Sequence, residues 1–152
     1  MPRPMRAVRE EATTGDAPVP LDRVIAIAQF RASLRLFLRH SDRIASRHGL
    51  TPQRHLMLLM IKGGPDGSER LSVGELAERL QSSPNATTEL VDRAERAGLV
   101  RRQRSGADGR VVHLRLTDEG DRRLASVLAE LTYDRHELED ALESLIRASE
   151  PV

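Results

Sequence analysis

The sequence predicts a mainly α-helical fold carrying one small β-hairpin. Three observations lead there. Apolar residues recur at helical spacing over most of the 152 residues. Serine or threonine followed by proline, or by a matched glutamate, marks several helix starts. Only the stretch around residues 100–116 switches to a period of two.

Residues 1–19 hold Pro2, Pro4 and Pro18 with mixed charge and almost no large apolar side chain, and read as a disordered arm; a solvated tail is the favoured reading of its Arg3, Arg6 and Arg9, and contact with DNA is the alternative. From Leu21 to about Arg47, Phe30, Leu34, Phe37 and Ile44 fall four, three and seven residues apart. Val24, Ile25, Ile27, Leu36 and Leu38 widen the stripe beyond one face. Such a helix is about 40 Å long, so it is expected to bury surface against more than its own small core. Gly49 ends it. Thr51-Pro52 is a cap followed by proline at the first helical position, opening a helix that includes Leu56, Leu59 and Met60 and stops before Gly63-Gly64-Pro65.

Ser72 and Glu75 have the spacing of a capping box, at the head of a short helix carrying Leu76 and Leu80. Ser83-Pro84 repeats the cap-plus-proline signal. The helix it opens is expected to turn Ala86, Leu90, Val91, Ala94 and Ala97 inward and to end at Gly98. About three residues separate these two helices, the spacing of a helix-turn-helix.

Past Gly98, Val112, Leu114 and Leu116 alternate with Val111, His113 and Arg115, after Val100, Arg102 and Arg104. Ser105-Gly106-Ala107-Asp108-Gly109 lies between them as a hairpin loop. A helix-turn-helix followed by a basic hairpin is a winged helix. Thr117 then caps a last helical region in which Leu124, Leu128, Leu131, Arg135, Leu138, Leu142 and Leu145 follow steps of four and three, a narrow seam suited to another helix. A break near Tyr133 predicts a kink between two helices. The resulting division is an arm at 1–19, a winged helix-turn-helix region at 49–116, and dimerisation helices at 20–48 and 117–148. Leu21, Val24, Leu131, Leu138, Leu142 and Leu145 are the candidate interface residues.

Composition narrows the chemistry. Cysteine is absent, which removes disulfides, thiolate nucleophiles and thiolate metal sites. No apolar run reaches the roughly 18 residues of a membrane span, and the N-terminus lacks the apolar stretch of a signal peptide, so a cytoplasmic protein is expected. There is no glycine-rich phosphate loop after a strand and no nucleophile with a base in sequence context. No enzyme activity and no cofactor are expected. His40, His48 and His55 lack a recognisable ligand spacing, so no metal site is expected either.

The net charge of +1 hides a strong asymmetry. Residues 93–115 carry seven arginines against Glu95 and Asp108, a local +5, whereas residues 118–150 come to −6. A basic patch matters more for phosphate binding than the total does. The start of the second helix presents free backbone N–H groups and partial positive charge. Ser83, Pro84, Asn85, Thr87 and Thr88 lie on its first turn and a half. Asparagine can bond adenine N6 and N7, and threonine offers a hydroxyl and a methyl for thymine. Arg93 extends this candidate set. Arg101, Arg102 and Arg104 are phosphate candidates, and Arg110 at the wing tip is a candidate for a narrow minor groove, with Asp108 as the strut that orients it. Double-stranded DNA is the expected partner.

These residues resemble the MarR family of winged-helix transcriptional regulators. That family's wing signature, Asp, any residue, Arg, five residues, Leu, Thr, is matched by Asp108, Arg110, Leu116 and Thr117. LAERLQSSPNATTELVDRAERAGLVRR is similar to its reading helix and the turn into the wing. The resemblance spans about residues 21–148, the flanking helices matching in length and position. It implies a homodimeric repressor on a pseudo-palindromic operator, released by a small aromatic or phenolic molecule. Phe37, His40, Arg43, His55 and Tyr133 are the lining residues it suggests for that effector. Three positions depart from the family pattern. Glu89 stands where many members carry arginine or another polar residue, and can pair with Arg93. Thr87 replaces a usual aliphatic residue. No cysteine is available for thiol-based sensing. The rival reading is a winged helix serving DNA architecture or protein interaction, and the second of these has no need of a basic wing.

Overall fold

Six helices and a two-stranded antiparallel hairpin make up the computed structural model, which describes residues 18–106, 109–131 and 135–150. In chain order these are α1 (Leu21–Arg47), α2 (Pro52–Lys62), α3 (Val73–Leu80), α4 (Pro84–Arg96), β1 (Val100–Ser105), β2 (Val111–Leu116), α5 (Asp118–Leu131) and α6 (His136–Ser149). Apart from Pro18 and Val19, the N-terminal arm lies outside the described residues.

The three capping sequences act as expected. Thr51 Oγ1 accepts from the Arg54 N–H at 3.2 Å and Ser83 Oγ from that of Ala86 at 3.2 Å. Ser72 Oγ accepts from the Glu75 N–H at 3.1 Å while the Glu75 carboxylate accepts from the Ser72 N–H at 2.7 Å. Each cap satisfies donors that the helix itself leaves unpaired, and removing one costs about 0.5–2 kcal/mol.

One core joins all the elements up to α5. It takes Ile44 and Ala45 from α1, Met57, Leu58 and Ile61 from α2, Leu76 from α3, Val91 and Ala94 from α4, Leu99, Val100 and Leu114 around the hairpin base, and Leu124, Val127 and Leu131 from α5. In α2 the buried stripe runs one residue away from the most conspicuous leucine: Leu56 is exposed, and Leu59 and Met60 are only half-buried. Helix α4 differs similarly from expectation. Thr87, Val91 and Ala94 face inward, while Ala86 and Ala97 are exposed.

The hairpin pairs Val100 with Leu116, Arg102 with Leu114 and Arg104 with Val112 on one face, and Arg101 with Arg115 and Gln103 with His113 on the other. A short bridge adds Leu71 to β2, with Leu114 N–H donating to the Leu71 carbonyl at 2.7 Å. The end of the wing is locked to α5. Thr117 N–H donates to the Leu99 carbonyl at 3.0 Å, the Thr117 hydroxyl donates to the Gly98 carbonyl at 2.6 Å, and the same oxygen caps Gly120 N–H at 3.1 Å.

The leucine seam divides. Leu124 and Leu131 are buried in this chain's own core and Leu128 packs against it. Leu131 therefore does not belong to an outward seam, because α5 lies directly against the winged helix. Helix α6 packs on α1 through Ala141, leaving Leu138 and Leu145 half-buried and Leu142 and Ile146 exposed. Leu21, Val24, Ile25 and Ile27 are exposed on the first half of α1. Among the described residues no helix is long and apolar enough to cross a membrane.

Candidate nucleic-acid interface

The outer face of α4 follows from the helical period once its buried side is known. With Thr87, Val91 and Ala94 inward, Asn85, Thr88, Glu89, Arg93 and Arg96 are exposed, and Asp92 is half-buried at the edge. Ser83 is the cap and Pro84 supplies the first helical residue without an N–H to satisfy. Thr88 Oγ1 donates to the Pro84 carbonyl at 2.9 Å, which leaves its methyl and an acceptor lone pair toward solvent.

Thr87 is a correction to the sequence reading. It is 1 % exposed, and its hydroxyl donates to the Ser83 carbonyl at 2.9 Å. Its place four residues before Val91 and seven before Ala94 carried that signal in the sequence. A base contact from Thr87 is excluded by packing, whereas Asn85 and Thr88 remain available.

Arg102 is the second correction. Strand alternation puts it on the face of the hairpin that carries Leu114, toward α4, and not on the outer face. Its guanidinium binds Asp92 at 2.6 Å and also Glu95, one turn further along α4. The hydrogen bond to Asp92 is the main reason its pKa is raised, with Glu95 adding to it. Arg102 is thus paired, not presented to phosphate.

The other arginines stand differently. Arg101 is exposed and directly opposite Arg115, a residue that the sequence reading did not single out. Like charges opposite one another in a hairpin are unfavourable alone, and an anion between them relieves that repulsion. The cross-strand register, once known, is the signal that sets Arg115 beside Arg101. Arg104 is exposed and donates to the Gly109 carbonyl at 3.3 Å, tying the wing's loop to β1. Arg110 is exposed immediately before β2. Asp108, its expected strut, lies outside the described residues. Glu89 and Arg93 share a shallow recess with Asp92 and Arg96, and the ion pairs of this stretch run instead from Arg102 to Asp92 and Glu95.

Three of the five suggested effector residues come together. Phe37, His40 and Arg43 line a cleft of about 470 Å³ between α1 and the start of α6, with Arg39, His136 and Leu138. His55 does not join them. It is buried at 6 % exposure in α2, its Nε2 has no hydrogen-bond partner, and burial lowers its pKa against the opposing pull of Asp42. Tyr133 lies outside the described residues. Among those residues no group of three or more histidines and carboxylates is arranged to hold a metal ion.

Comparison with known proteins places this arrangement. A family model described as MarR family matches residues 48–111. The transcriptional repressor MdtR of Bacillus subtilis is 41 % identical over 83 residues, which are 55 % of this chain and 51 % of MdtR, so the match spans about half the length of that relative. The crystal structure of the YusO protein of Bacillus subtilis is 30 % identical, with a TM-score of 0.56 over 75 % of this chain and 79 % of that one. A MarR family protein from Bacillus stearothermophilus is 29 % identical, with a TM-score of 0.64 over 78 % and 81 %. With the family match, the 30 % identity to YusO over 79 % of that chain and the winged helix-turn-helix described above, the chain belongs to the MarR family of winged-helix transcriptional regulators.

Proposed function

We propose that this protein is a sequence-specific DNA-binding repressor, acting as a homodimer on a pseudo-palindromic operator and released by a small molecule. The observation that carries the reading is the pairing of two surfaces on adjoining elements, α4 and the hairpin. The first turns of α4 expose Asn85 and Thr88, side chains suited to base edges. The adjoining hairpin exposes Arg101, Arg104 and Arg110, suited to phosphates and a narrow minor groove. Neither surface has a use in a catalytic site, and a protein-interaction module has no need of the second. The repressor role is named for MdtR and carried over here as part of the proposal.

The dimer is proposed from apolar surface that one chain leaves in water. Leu21 is 73 % exposed, and Val24, Ile25, Leu142 and Ile146 are also exposed, on α1 and α6. A two-fold dimer built on them and bound to a pseudo-palindromic operator would need its two α4 helices about one DNA turn, roughly 34 Å, apart. The proposed organisation is therefore residues 49–116 reading DNA and the segments 20–48 and 117–148 joining the protomers, in the cytoplasm where the chromosome lies. The cleft against α1 is the proposed effector site. Its volume suits a small ligand, Phe37 and Leu138 offer apolar contact, and Arg39 and Arg43 favour an anionic group on an aromatic or phenolic molecule.

The test is selection of a preferred duplex from random DNA, followed by electrophoretic shift assays against a scrambled duplex at physiological salt. Selective binding by at least about a thousandfold supports a specific regulator. Equal affinity for both overturns it and leaves the architectural reading.

A further inference from the structure

We propose that Arg102 is a positioning residue that fixes the wing to the reading helix and so sets the register in which base and backbone contacts are made. The proposal rests on the DNA-binding reading above. Its ground is the clamp itself: a single guanidinium on β1 holds Asp92 and Glu95, two carboxylates one turn apart on α4. The fork of N–H donors on arginine suits this double engagement, which the compact ammonium of lysine does not match.

The clamp joins elements whose shared core lies near the hairpin base, at Val91, Ala94, Leu99 and Val100. Arg102 lies two residues further out along β1, at the level where Leu114 is its partner on β2. Beyond it the hairpin carries Arg104 and, past the loop, Arg110. At the same level β2 is already tied to the body of the protein by the backbone bonds between Leu114 and Leu71, and beyond that level the tip moves most. The clamp adds a second tie at that level, from β1 to α4, and so fixes the angle between the hairpin and the reading helix. It also explains two acids on a helix meant to approach phosphate: each is turned aside by Arg102 and partly neutralised, while Arg93 and Arg96 stay exposed.

The role predicts a loss of selectivity, because phosphate contacts position and base contacts specify. Three variants test it: Arg102→Gln, Arg102→Lys, and the double change Asp92→Asn with Glu95→Gln. The probes are the duplex selected by the wild-type protein and a scrambled duplex, each titrated over a range of salt. Arg102→Gln should weaken binding to the selected duplex about tenfold, the order of a single base-edge interaction, with a smaller effect on the scrambled one. Arg102→Lys should recover part of that loss. The Asp92/Glu95 double variant should reproduce it, and adding Arg102→Gln to that variant should cost little more, since the clamp is already broken.

A phosphate-binding Arg102 behaves in the opposite way. Its removal weakens both duplexes equally and flattens the log affinity against log salt slope by about 0.9, and the double variant then tightens binding by freeing the guanidinium. Either result overturns the proposal. Should Arg102→Gln fail to fold by circular dichroism, the near-isosteric double variant decides alone. A wild-type protein that binds both duplexes equally refutes the DNA-reading proposal instead, a different outcome from failure of the clamp.

Discussion

The carbonyl oxygen of Leu99 lies 2.1 Å from where a β-carbon on Gly120 would stand. This close approach joins the turn after α4 to the first turn of α5, the junction at which the DNA-reading unit meets the helix leading to α6. Glycine is required there by space and not by dihedral angle, since the same turn is drawn close by the Thr117 bonds to Leu99 and Gly98. Gly120→Ala should destabilise the protein by about 1–3 kcal/mol or more, because backbone must move to admit a methyl group. Gly98→Ala is the contrast. Gly98 has φ +73° and nothing within 4 Å of an added β-carbon, so its cost is the left-handed backbone alone, about 1–2 kcal/mol. Urea unfolding of the two variants measures both, and equal or smaller loss at Gly120 would contradict the packing argument.

Val24→Arg or Leu142→Arg should give a folded monomer by light scattering, because both residues are exposed on the single chain. Leu131→Arg should instead unfold the protein, placing a charge where the side chain is 3 % exposed in the core. A folded dimer from Val24→Arg or Leu142→Arg would remove that residue from the proposed interface.

Arg110→Ala should weaken operator binding strongly in a shift assay, and normal affinity in that variant would exclude the wing arginine. Arg101→Gln should act more uniformly across sequences and flatten the salt slope by about 0.9 for each phosphate it no longer neutralises. Glu89→Gln should change sequence preference more than overall affinity, since a carboxylate on the reading face accepts from cytosine and repels phosphate.

His55 gives a stability profile of definite sign. Burial lowers its folded pKa below 6.5, so as pH falls through 6.5 the unfolded chain takes up a proton that the folded one refuses. Stability present above pH 6.5 is then lost downward, until the folded pKa is reached. Chemical unfolding at pH 7.5 and 5.5 should show this loss in the wild type and a smaller one in His55→Leu. An NMR titration midpoint above 6.5 for His55 would reverse the sign and refute the account.

Glu119 governs a more acidic range. Its hydrogen bonds from Arg122 and Arg123 hold its pKa down at about 2, against an ordinary value of 4.5. The stabilisation is complete above 4.5 and is lost as pH falls toward 2. Glu119→Gln should flatten that part of the acid unfolding curve, and an unchanged curve would place the acid sensitivity elsewhere, for example at Glu130, whose carboxylate is also held low by Arg47 and His48.

The helix starts were legible because caps are local: Thr51, Ser72 and Ser83 satisfy donors three residues away, and their neighbours in sequence suffice to announce it. Burial was less legible. Thr87 has a polar side chain that satisfies itself on the Ser83 carbonyl, so a buried position looked like a reading one. Arg102 was misread because arginine type does not reveal strand face, and the register with Leu114 does. Arg115 was passed over for the same reason.

The sequence by itself determined the element order, the switch from helical period to strand alternation, the basic wing, and the family signature in Asp108, Arg110, Leu116 and Thr117. All of these depend on residues close along the chain. Only the tertiary structure decided which arginines are spent on the protein's own acids and which remain for a partner, and which leucines of the seam meet this chain's core. Those outcomes depend on relationships such as Arg102 with Asp92 or Leu131 with the core built on α1 and α2. Their distances are set by packing between elements and cannot be read from spacing.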